Sequence, residues 1–424
     1  MSDPIDFTIW VRRRGHSMTA FDLDADLDEL EPLREIVGHA RVVALGESSH
    51  HVREFYQVRH RMMRFLVERC GFTVYALEAP FTQGQSLEAW SKGGTEPVAA
   101  VASAGIAANL GDCTEMHEAL EWIRVRNAEG SSLRCVGTDL PGAAGSPLPA
   151  LEAVEAYVCD ADPGAQPLWK QAADVARRFD GPSMLRSIAA YAELEPADQN
   201  TLTSALSGLL SRMERAAPFL ARSDDRGRYS AVRHHLRGAW LVDQLHRANL
   251  TDGFASASAF RDRFIAHSIQ RLLDTSPPGT RIVLAAHNWH IKKTPDPQEG
   301  TVPLLTAGYH LAAALGDDYR AIGITHTSGR TAIAGPHPDD PADFAFIDAP
   351  LPEAPADSIE ATFPTQAPWT LADLRAAAAD IEDAPAFKKT RMSDYFLNEP
   401  VFDAFDAIAN VSDTVTTDFA LPAP

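Results

Sequence analysis

Residues 42–56 read VVALGESSHHVREFY, and this stretch decides the fold class. Its first four residues are the apolar and β-branched kind that fill a strand covered on both faces. A glycine, Glu47, two serines and two histidines follow at once, and a helix-like segment comes next. A buried strand that runs through a polar turn into a helix is the repeating unit of α/β proteins. The same order leaves a carboxylate, Glu47, and an imidazole, His50, at the end of the strand.

Further apolar runs of the same character recur along the chain, separated by long helix-like segments. The five runs are RVVALG (41–46), TVYALE (73–78), LRCVGTD (133–139), RIVLAAH (281–287) and YRAIGITH (319–326). Strands that alternate with helices favour a parallel sheet. We therefore predict an α/β fold with a central, mostly parallel sheet flanked by helices.

The spacing of apolar residues divides the chain into three parts. Residues 1–150 and 276–424 carry the strand-like runs and are predicted to form the two parts of the α/β core. Residues 151–275 have helical spacing and are predicted to form a helical insertion or cap. Residues 335–370 are dense in proline, aspartate and alanine, which predicts a long surface loop that acts as a linker or a lid.

The composition excludes several classes of partner. Acidic residues outnumber basic ones by 58 to 38 in a chain of 424 residues, and the formal net charge is −20. Such a charge disfavours nucleic acid and anionic membranes as partners, whereas it attracts cationic substrates or simply maintains solubility.

No run reaches the roughly 18 apolar residues of a membrane span, and the N-terminus lacks the layout of a signal peptide, so we predict a cytoplasmic protein. Its four cysteines lack C-x-x-C spacing, which indicates neither a disulfide framework nor a cysteine metal site.

Ionisable side chains stand at the ends of four of the predicted strands: Glu47, Glu78, Asp139 and His287. Ligands of open α/β sheets bind outside the carboxyl ends of the strands, so these groups are predicted to meet in one cleft. The alternative is that each strand stops at a polar residue only because the chain reaches solvent there. Four ionisable groups together favour a site.

An arginine on the helix after the first strand needs a partner. If residues 51–69 are helical, one apolar stripe forms from Phe55, Val58, Met62, Phe65 and Leu66. Arg59 lies beside this stripe, where a guanidinium costs several kcal/mol unless a carboxylate pairs with it. We predict a pair with Glu47 or Glu78, the alternative being a stem that reaches out to water. A carboxylate held ionised in this way favours a nearby imidazole as a base near neutral pH.

Two other kinds of site are less well supported. The segment AAHNWHIKKT (285–294) adds His287 and His290, which with Glu47 and His50 form a set that suits zinc. However, H-x-x-H on a loop is a weak signal, and we predict no metal and no other cofactor.

The segment GESSH is not the G-x-S-x-G elbow of serine hydrolases, so a covalent serine intermediate is disfavoured. An acid/base set of histidines that activates water directly remains.

These residues also carry a family resemblance. The run LGESSHHVREFYQVRHRMMRFLVERCGFTVYALEAPFTQGQ resembles the opening motif of the erythromycin esterases. The likeness continues through VGTDLPGAAGS, AAHNWHIKKTP, LGDDYRAIGITHTSGRTA and KKTRMSDYFLNEPVFDAFDAI, so that it covers almost the whole chain. It is greatest toward the metal-independent type-B macrolide esterases.

The resemblance implies an ester hydrolase that opens the lactone ring of a macrolide-like small molecule. It implies that His50 is the general base and that Glu47 and Glu78 orient and polarise it. Arg59 then holds the carboxylates, and His287 stabilises the oxyanion or protonates the leaving alkoxide; base and acid remain exchangeable between the two histidines. His51, Asp139, His290 and Arg330 are expected to contact the substrate. His51 and Arg330 depart from the type-B pattern, which is compatible with a smaller or more polar ligand.

Two other functions remain open at the level of sequence. The same histidines suit a biosynthetic tailoring enzyme that dehydrates or cyclises its substrate, because abstraction of a proton from carbon or from water needs the same groups. A protein that only sequesters a small amphipathic ligand is the other alternative. It is less favoured, because a pocket that only binds has little use for two buried imidazoles.

Overall fold

The chain was studied as a computed structural model, which describes residues 6–106, 109–181, 183–220, 226–297, 303–382, 384, 387–419 and 421. Its strands are β1 (His16–Met18), β2 (Val42–Leu45), β3 (Val74–Pro80), β4 (Arg134–Asp139), β5 (Ile282–Ala285), β6 (Tyr319–His337), β7 (Asp340–Pro350), β8 (Trp369–Asp373), β9 (Lys389–Met392), β10 (Tyr395–Asn398) and β11 (Ala407–Thr414).

The helices fall into three groups along the chain. Those before and within the first half of the sheet are α1 (Phe7–Arg14), α2 (Pro32–Val37), α3 (Arg53–Cys70), α4 (Gln85–Trp90), α5 (Val98–Gly105) and α6 (Thr114–Ala128). Between β4 and β5 lie α7 (Leu148–Ala161), α8 (Gln166–Ala176), α9 (Met184–Ala192), α10 (Pro196–Leu220), α11 (Arg226–Thr251) and α12 (Phe254–Thr275). The last group is α13 (Asn288–Ile291), α14 (Ala307–Leu315), α15 (Leu374–Asp380) and α16 (Val401–Ala404).

The predicted α/β fold is confirmed, and all five predicted strands are present. The main sheet has the order β1-β8-β11-β6-β2-β5-β3-β4, and β7 pairs with β6 outside this path. The five predicted strands are neighbours, and every pair among them is parallel. β11 adds a further parallel strand beside β6, whereas β8 and β1 are antiparallel. The sheet is therefore parallel at its centre and mixed at one edge.

Helices cover both faces of this sheet, which explains why its central strands are apolar throughout. All four residues of β2 and all four of β5 are buried. One apolar cluster contains the buried stripe of α3, from Phe55 to Leu66, with side chains of β2 and β3. A second cluster lies on the opposite face and includes residues of α12 and α14. A third is formed by α7 to α11 among themselves.

The prediction of a surface loop over residues 335–370 is wrong over its first part. Residues 340–350 form β7, which pairs antiparallel with the second half of β6. The prolines of this hairpin, at positions 336, 338, 341 and 350, stand near strand ends or in the turn, where an edge hairpin tolerates a missing N–H. Residues 369–373 form β8. A high proline content thus concealed the short apolar run in DFAFID (343–348), which is strand-like.

No helix within the described ranges is long and apolar enough to cross a membrane.

Candidate active site

The site forms where β2, β5 and β3, neighbours in the sheet, end on the same side. Glu47 follows β2, Glu78 lies near the end of β3 and His287 follows β5. The rings of His50 and His287 are 5.0 Å apart between centroids. The predicted convergence of strand ends is therefore present.

Gly46 and Asn288 hold the ends of β2 and β5 together. A Cβ atom at Gly46 would overlap the side-chain oxygen of Asn288, so only glycine allows this approach. The Asn288 N–H donates to the Glu47 carbonyl at 2.8 Å, and its side-chain amide donates to the Ile324 carbonyl at 2.9 Å. One asparagine thus joins the ends of β2 and β5 to the middle of β6, which places Glu47 and His287 in register.

Glu47 connects an arginine to a histidine. One carboxylate oxygen lies 2.9 Å from Nη1 of Arg59, and the other lies 2.8 Å from Nδ1 of His50. Burial raises the pKa of the Glu47 carboxyl, but Arg59 and His50 outweigh this and lower it below its usual value. The predicted pairing of Arg59 is thus confirmed with Glu47 as the partner. An ionised Glu47 requires a proton on Nδ1 of His50, so the lone pair of His50 lies on Nε2.

His287 is held by the backbone. Its Nδ1 accepts from the Trp289 N–H at 3.2 Å, so Nε2 carries the proton and donates to the Ser48 carbonyl at 3.1 Å. Burial, followed by the nearby His50, lowers the pKa of His287 to about 3. His287 is therefore a neutral hydrogen-bond donor at neutral pH. The two facing imidazoles thus have opposite roles, because His50 presents a lone pair and His287 carries an N–H.

Glu78 is fixed by groups that come from two other elements. It accepts from the backbone N–H of His287 at 2.7 Å and from Nη2 of Arg261, on α12, at 2.6 Å. Arg261 also donates from Nε to Asp139 at 2.7 Å. Burial raises the pKa of the Glu78 carboxyl, but neighbouring cationic groups, His290 and Arg261 first among them, hold it well below its usual range. The carboxylates that end β3 and β4 are therefore bridged by one guanidinium.

His290 lies behind Glu78. Its Nδ1 is 2.8 Å from Asp262 and its Nε2 is 3.5 Å from Glu78. Burial lowers the pKa of His290, but Asp262 and Glu78 outweigh it and raise the pKa above that of an ordinary histidine. Predicted as substrate-binding residues, Asp139 and His290 are brought to the cluster, where both are buried; His290 lies against Glu78, and Asp139 shares Arg261 with it.

The structure does not bring His51 and Arg330 to this group. The His51 ring is fully buried and lies against Phe346 at 4.5 Å and Phe419 at 4.9 Å, and its backbone has a positive φ of 54°. Arg330 is paired with Asp348 of β7 at 2.7 Å. These contacts give both side chains partners within the protein, and their contact with the substrate stays a prediction.

Arg261 and Asp262 are site residues that the sequence reasoning missed. They lie adjacent on α12, in the segment AFRDRFI (259–265) of the helical part of the chain. A signal was present in the sequence, because Arg261 and Asp262 stand among the apolar residues Phe260, Phe264 and Ile265 of a helix-like segment. The argument applied to Arg59, that a charged group on an apolar helix face needs a partner, would have found them.

A metal-ligand set was also sought at the site. Over the ranges that the structure describes, no group of three or more His, Cys, Asp and Glu side chains has the geometry to hold a metal ion. The cluster instead forms two chains of charged and hydrogen-bonded groups, Arg59–Glu47–His50 and Arg261–Glu78–His290, in which Glu47 is hydrogen-bonded to His50 and Glu78 to Arg261, while Arg59 and His290 are in ion-pair contact with the carboxylates. Such an arrangement suits proton transfer to and from a bound water molecule.

Comparison with known proteins gives consistent matches. The family model described as Erythromycin esterase matches residues 67–414, a range that starts after His50 and includes Glu78 and His287. Erythromycin esterase type II of Escherichia coli is 31% identical over 362 residues, 84% of this chain and 85% of that protein. Type I from the same organism is 27% identical over 399 residues, 91% of this chain and 94% of that protein. A solved mutant of the erythromycin esterase EreC, in its open conformation, superposes with a TM-score of 0.80 at 25% identity and covers 96% of this chain and 98% of its own.

Proposed function

Since the chain belongs to the erythromycin esterase family, we propose that it opens the lactone ring of a macrolide-like substrate with a water molecule activated by His50. Membership of this family makes the chain a hydrolase of ester bonds. The substrate class and the role of each side chain are what we propose beyond that. The observation that supports them most strongly is the pair of facing imidazoles, 5.0 Å apart, with opposite hydrogen-bonding capacities.

His50 acts as the general base in this proposal. Glu47 holds Nδ1–H, so Nε2 is directed away from the carboxylate and is free to accept a proton from water. Arg59 keeps Glu47 ionised, which fixes the tautomer and stabilises the imidazolium once it forms. The hydroxide adds to the lactone carbonyl carbon, and the protonated His50 then delivers its proton to the ring oxygen as the carbon–oxygen bond breaks. The products are a carboxylic acid and an alcohol on one open chain.

His287 stabilises the oxyanion in the same scheme. A neutral imidazole whose pKa is about 3 donates a hydrogen bond but does not give up a proton at neutral pH. Its Nε2–H turns from the Ser48 carbonyl to the negatively charged oxygen of the tetrahedral intermediate. One such donor contributes on the order of 3 kcal/mol to stabilisation of the transition state. Glu78 accepts the backbone N–H of His287 and thereby keeps this residue in place.

Incubation with macrolides of different ring sizes tests the proposed function. We expect a product whose mass exceeds that of the substrate by one water, because ring opening adds water across the ester. Mass spectrometry of the reaction detects it, and EDTA is expected to leave the rate unchanged. A product that has lost water would instead indicate the tailoring alternative. Thermal stabilisation by the macrolide without any product would indicate a binding protein.

Replacement of Ser48 by alanine tests the absence of a covalent serine intermediate. The Ser48 hydroxyl is buried and makes no hydrogen bond within the described part of the chain, whereas its backbone carbonyl accepts from His287. We therefore expect kcat of Ser48→Ala to equal that of the wild type, because the carbonyl is retained. Steady-state kinetics with a macrolide measure it. A loss of about 10³-fold or more would identify Ser48 as the nucleophile.

A further inference from the structure

A second cavity lies at the β4 edge of the sheet, apart from the histidine cluster. It has a volume of about 410 Å³ and is bounded by β4, α4, α11 and α12. None of its lining residues is Glu47, His50, Glu78 or His287. The volume is at the low end of the roughly 300–1,000 Å³ that small-molecule sites occupy. The cavity can therefore accept a ligand without contact to the cluster.

The charged side chains of this cavity are mainly cationic, in a chain whose net charge is −20. Lys92, Arg134 and Arg271 line it together with a single carboxylate, Glu88. Glu88 is already taken by two of these cations, because Lys92 lies 2.9 Å from it and Arg134 lies 2.8 Å from it. The cavity thus has an excess of positive charge.

Arg271 is the cation that makes no direct ion pair with this carboxylate, which acts on it only from a distance. Its Nε donates to the Ser230 hydroxyl at 3.1 Å, and its guanidinium lies 5.2 Å from the centre of the Phe81 ring. It has no carboxylate within 4.0 Å among the described residues. Burial, and to a smaller degree Arg134, lowers the pKa of Arg271 to about 10, so it is still charged at neutral pH. A partly buried charge without a counter-ion is costly, and an anion bound beside it would offset that cost.

The remaining walls are apolar. Phe81, Val136, Ala231 and Leu272 form them, and the amide of Gln85 lies among them, held by a 2.7 Å contact to His235. A guanidinium recognises carboxylates and phosphates through two parallel N–H donors, while apolar walls take up a hydrocarbon group. We propose that this cavity binds a small amphipathic anion, which is a carboxylate or a phosphate monoester on a short apolar chain.

Isothermal titration calorimetry of the full chain with four six-carbon probes tests the site. The probes are hexanoate, hexyl phosphate, hexanol and hexylamine. They share a chain of about six carbons, a length suited to a cavity of this volume, and they differ in the head group. We expect saturable binding of at least one of the two anions and none of hexanol or hexylamine. A preference between hexanoate and hexyl phosphate identifies which anion the cavity takes. Absence of binding by both anions would overturn the proposal.

Three variants localise the binding. Arg271→Gln is expected to weaken it about tenfold or more, because it removes a charged donor from the anion. Ala231→Leu is expected to weaken it, since the larger side chain takes up part of the apolar space of the cavity and leaves every charge in place. Arg212→Gln is the matched control, because Arg212 pairs with Asp162 and does not line the cavity.

If the affinity for the anion is the same in Arg271→Gln and in Ala231→Leu as in the wild type, the site lies elsewhere and the proposal fails. None of these titrations includes a macrolide, so their outcome is independent of ester hydrolysis.

Discussion

Replacement of His50 by glutamine is expected to lower kcat for macrolide ring opening by about 10³-fold, within the range measured for removal of a general base. Glutamine donates to Glu47 through its amide, as His50 does through Nδ1, but it has no basic lone pair. The His50 ring is partly exposed, with 22% of the side chain accessible, so the substitution leaves the core intact. The loss is therefore chemical and not structural.

Steady-state kinetics and thermal unfolding of the same preparation measure the two effects separately. His39→Gln is the matched control, because His39 is exposed and stands on the loop before β2, outside the cluster. It is expected to retain the wild-type kcat. A kcat of His50→Gln within tenfold of the wild type would remove His50 as the base and leave His287 as the remaining candidate. A large drop in the unfolding midpoint would show that the substitution acts through the fold.

The centre of the sheet could be predicted from sequence because its strands are buried on both faces. Such strands read as short apolar runs, and β2 and β5 are buried at every position. The mixed edge gave no comparable signal. β11 carries Asn410 and Ser412 within its span, and β1 is only three residues long. β7 was missed because turn-forming residues flank it on both sides.

The sequence predicts those residues of the candidate site that stand at the ends of strands. Glu47, Glu78, Asp139 and His287 were found in this way, because parallel strands end on one side of a sheet. The partner of Arg59 was found by the cost of burying a guanidinium, although the choice between Glu47 and Glu78 needed coordinates. Which cation neutralises Glu78 could not be read from the local pattern. Arg261 is 183 residues away along the chain, on a helix whose packing against β4 the sequence does not specify.

His51 is a predicted substrate-binding residue that the structure places against aromatic side chains. The prediction rests on the resemblance, because His51, which follows His50 directly, departs from the type-B pattern at this position. The backbone of His51 adopts a positive φ, and its ring packs against Phe346, which His50 also contacts, and against Phe419. A left-handed conformation at a non-glycine residue is uncommon and has no sequence signal here. Adjacent residues therefore serve separate purposes, one in the site and one in packing.

Replacement of Arg59 by methionine is expected to lower the free energy of unfolding by about 3–5 kcal/mol at neutral pH, because it leaves a buried carboxylate without its counter-ion. The Arg59 and Glu47 side chains are 4% and 3% exposed, so water cannot replace the lost partner. Urea unfolding of the variant and the wild type measures the difference. Glu47→Gln combined with Arg59→Met is expected to be more stable than Arg59→Met alone, since the double variant buries no charge at this position.

The stability of the same variant is expected to depend on pH, in a direction that follows from the pKa of Glu47. In the wild type the pKa of Glu47 is lower in the folded state than in the unfolded state. The carboxylate therefore stabilises the fold at pH values above its unfolded pKa of about 4.3, and this stabilisation is lost as the pH falls through the folded pKa. Without Arg59, burial raises the folded pKa of Glu47, and ionisation then opposes folding at neutral pH. The stability gap between the wild type and Arg59→Met should therefore be widest at neutral pH and narrow as the pH falls toward about 4. A gap that stays constant or widens on acidification would show that Arg59 does not stabilise the fold through the charge of Glu47.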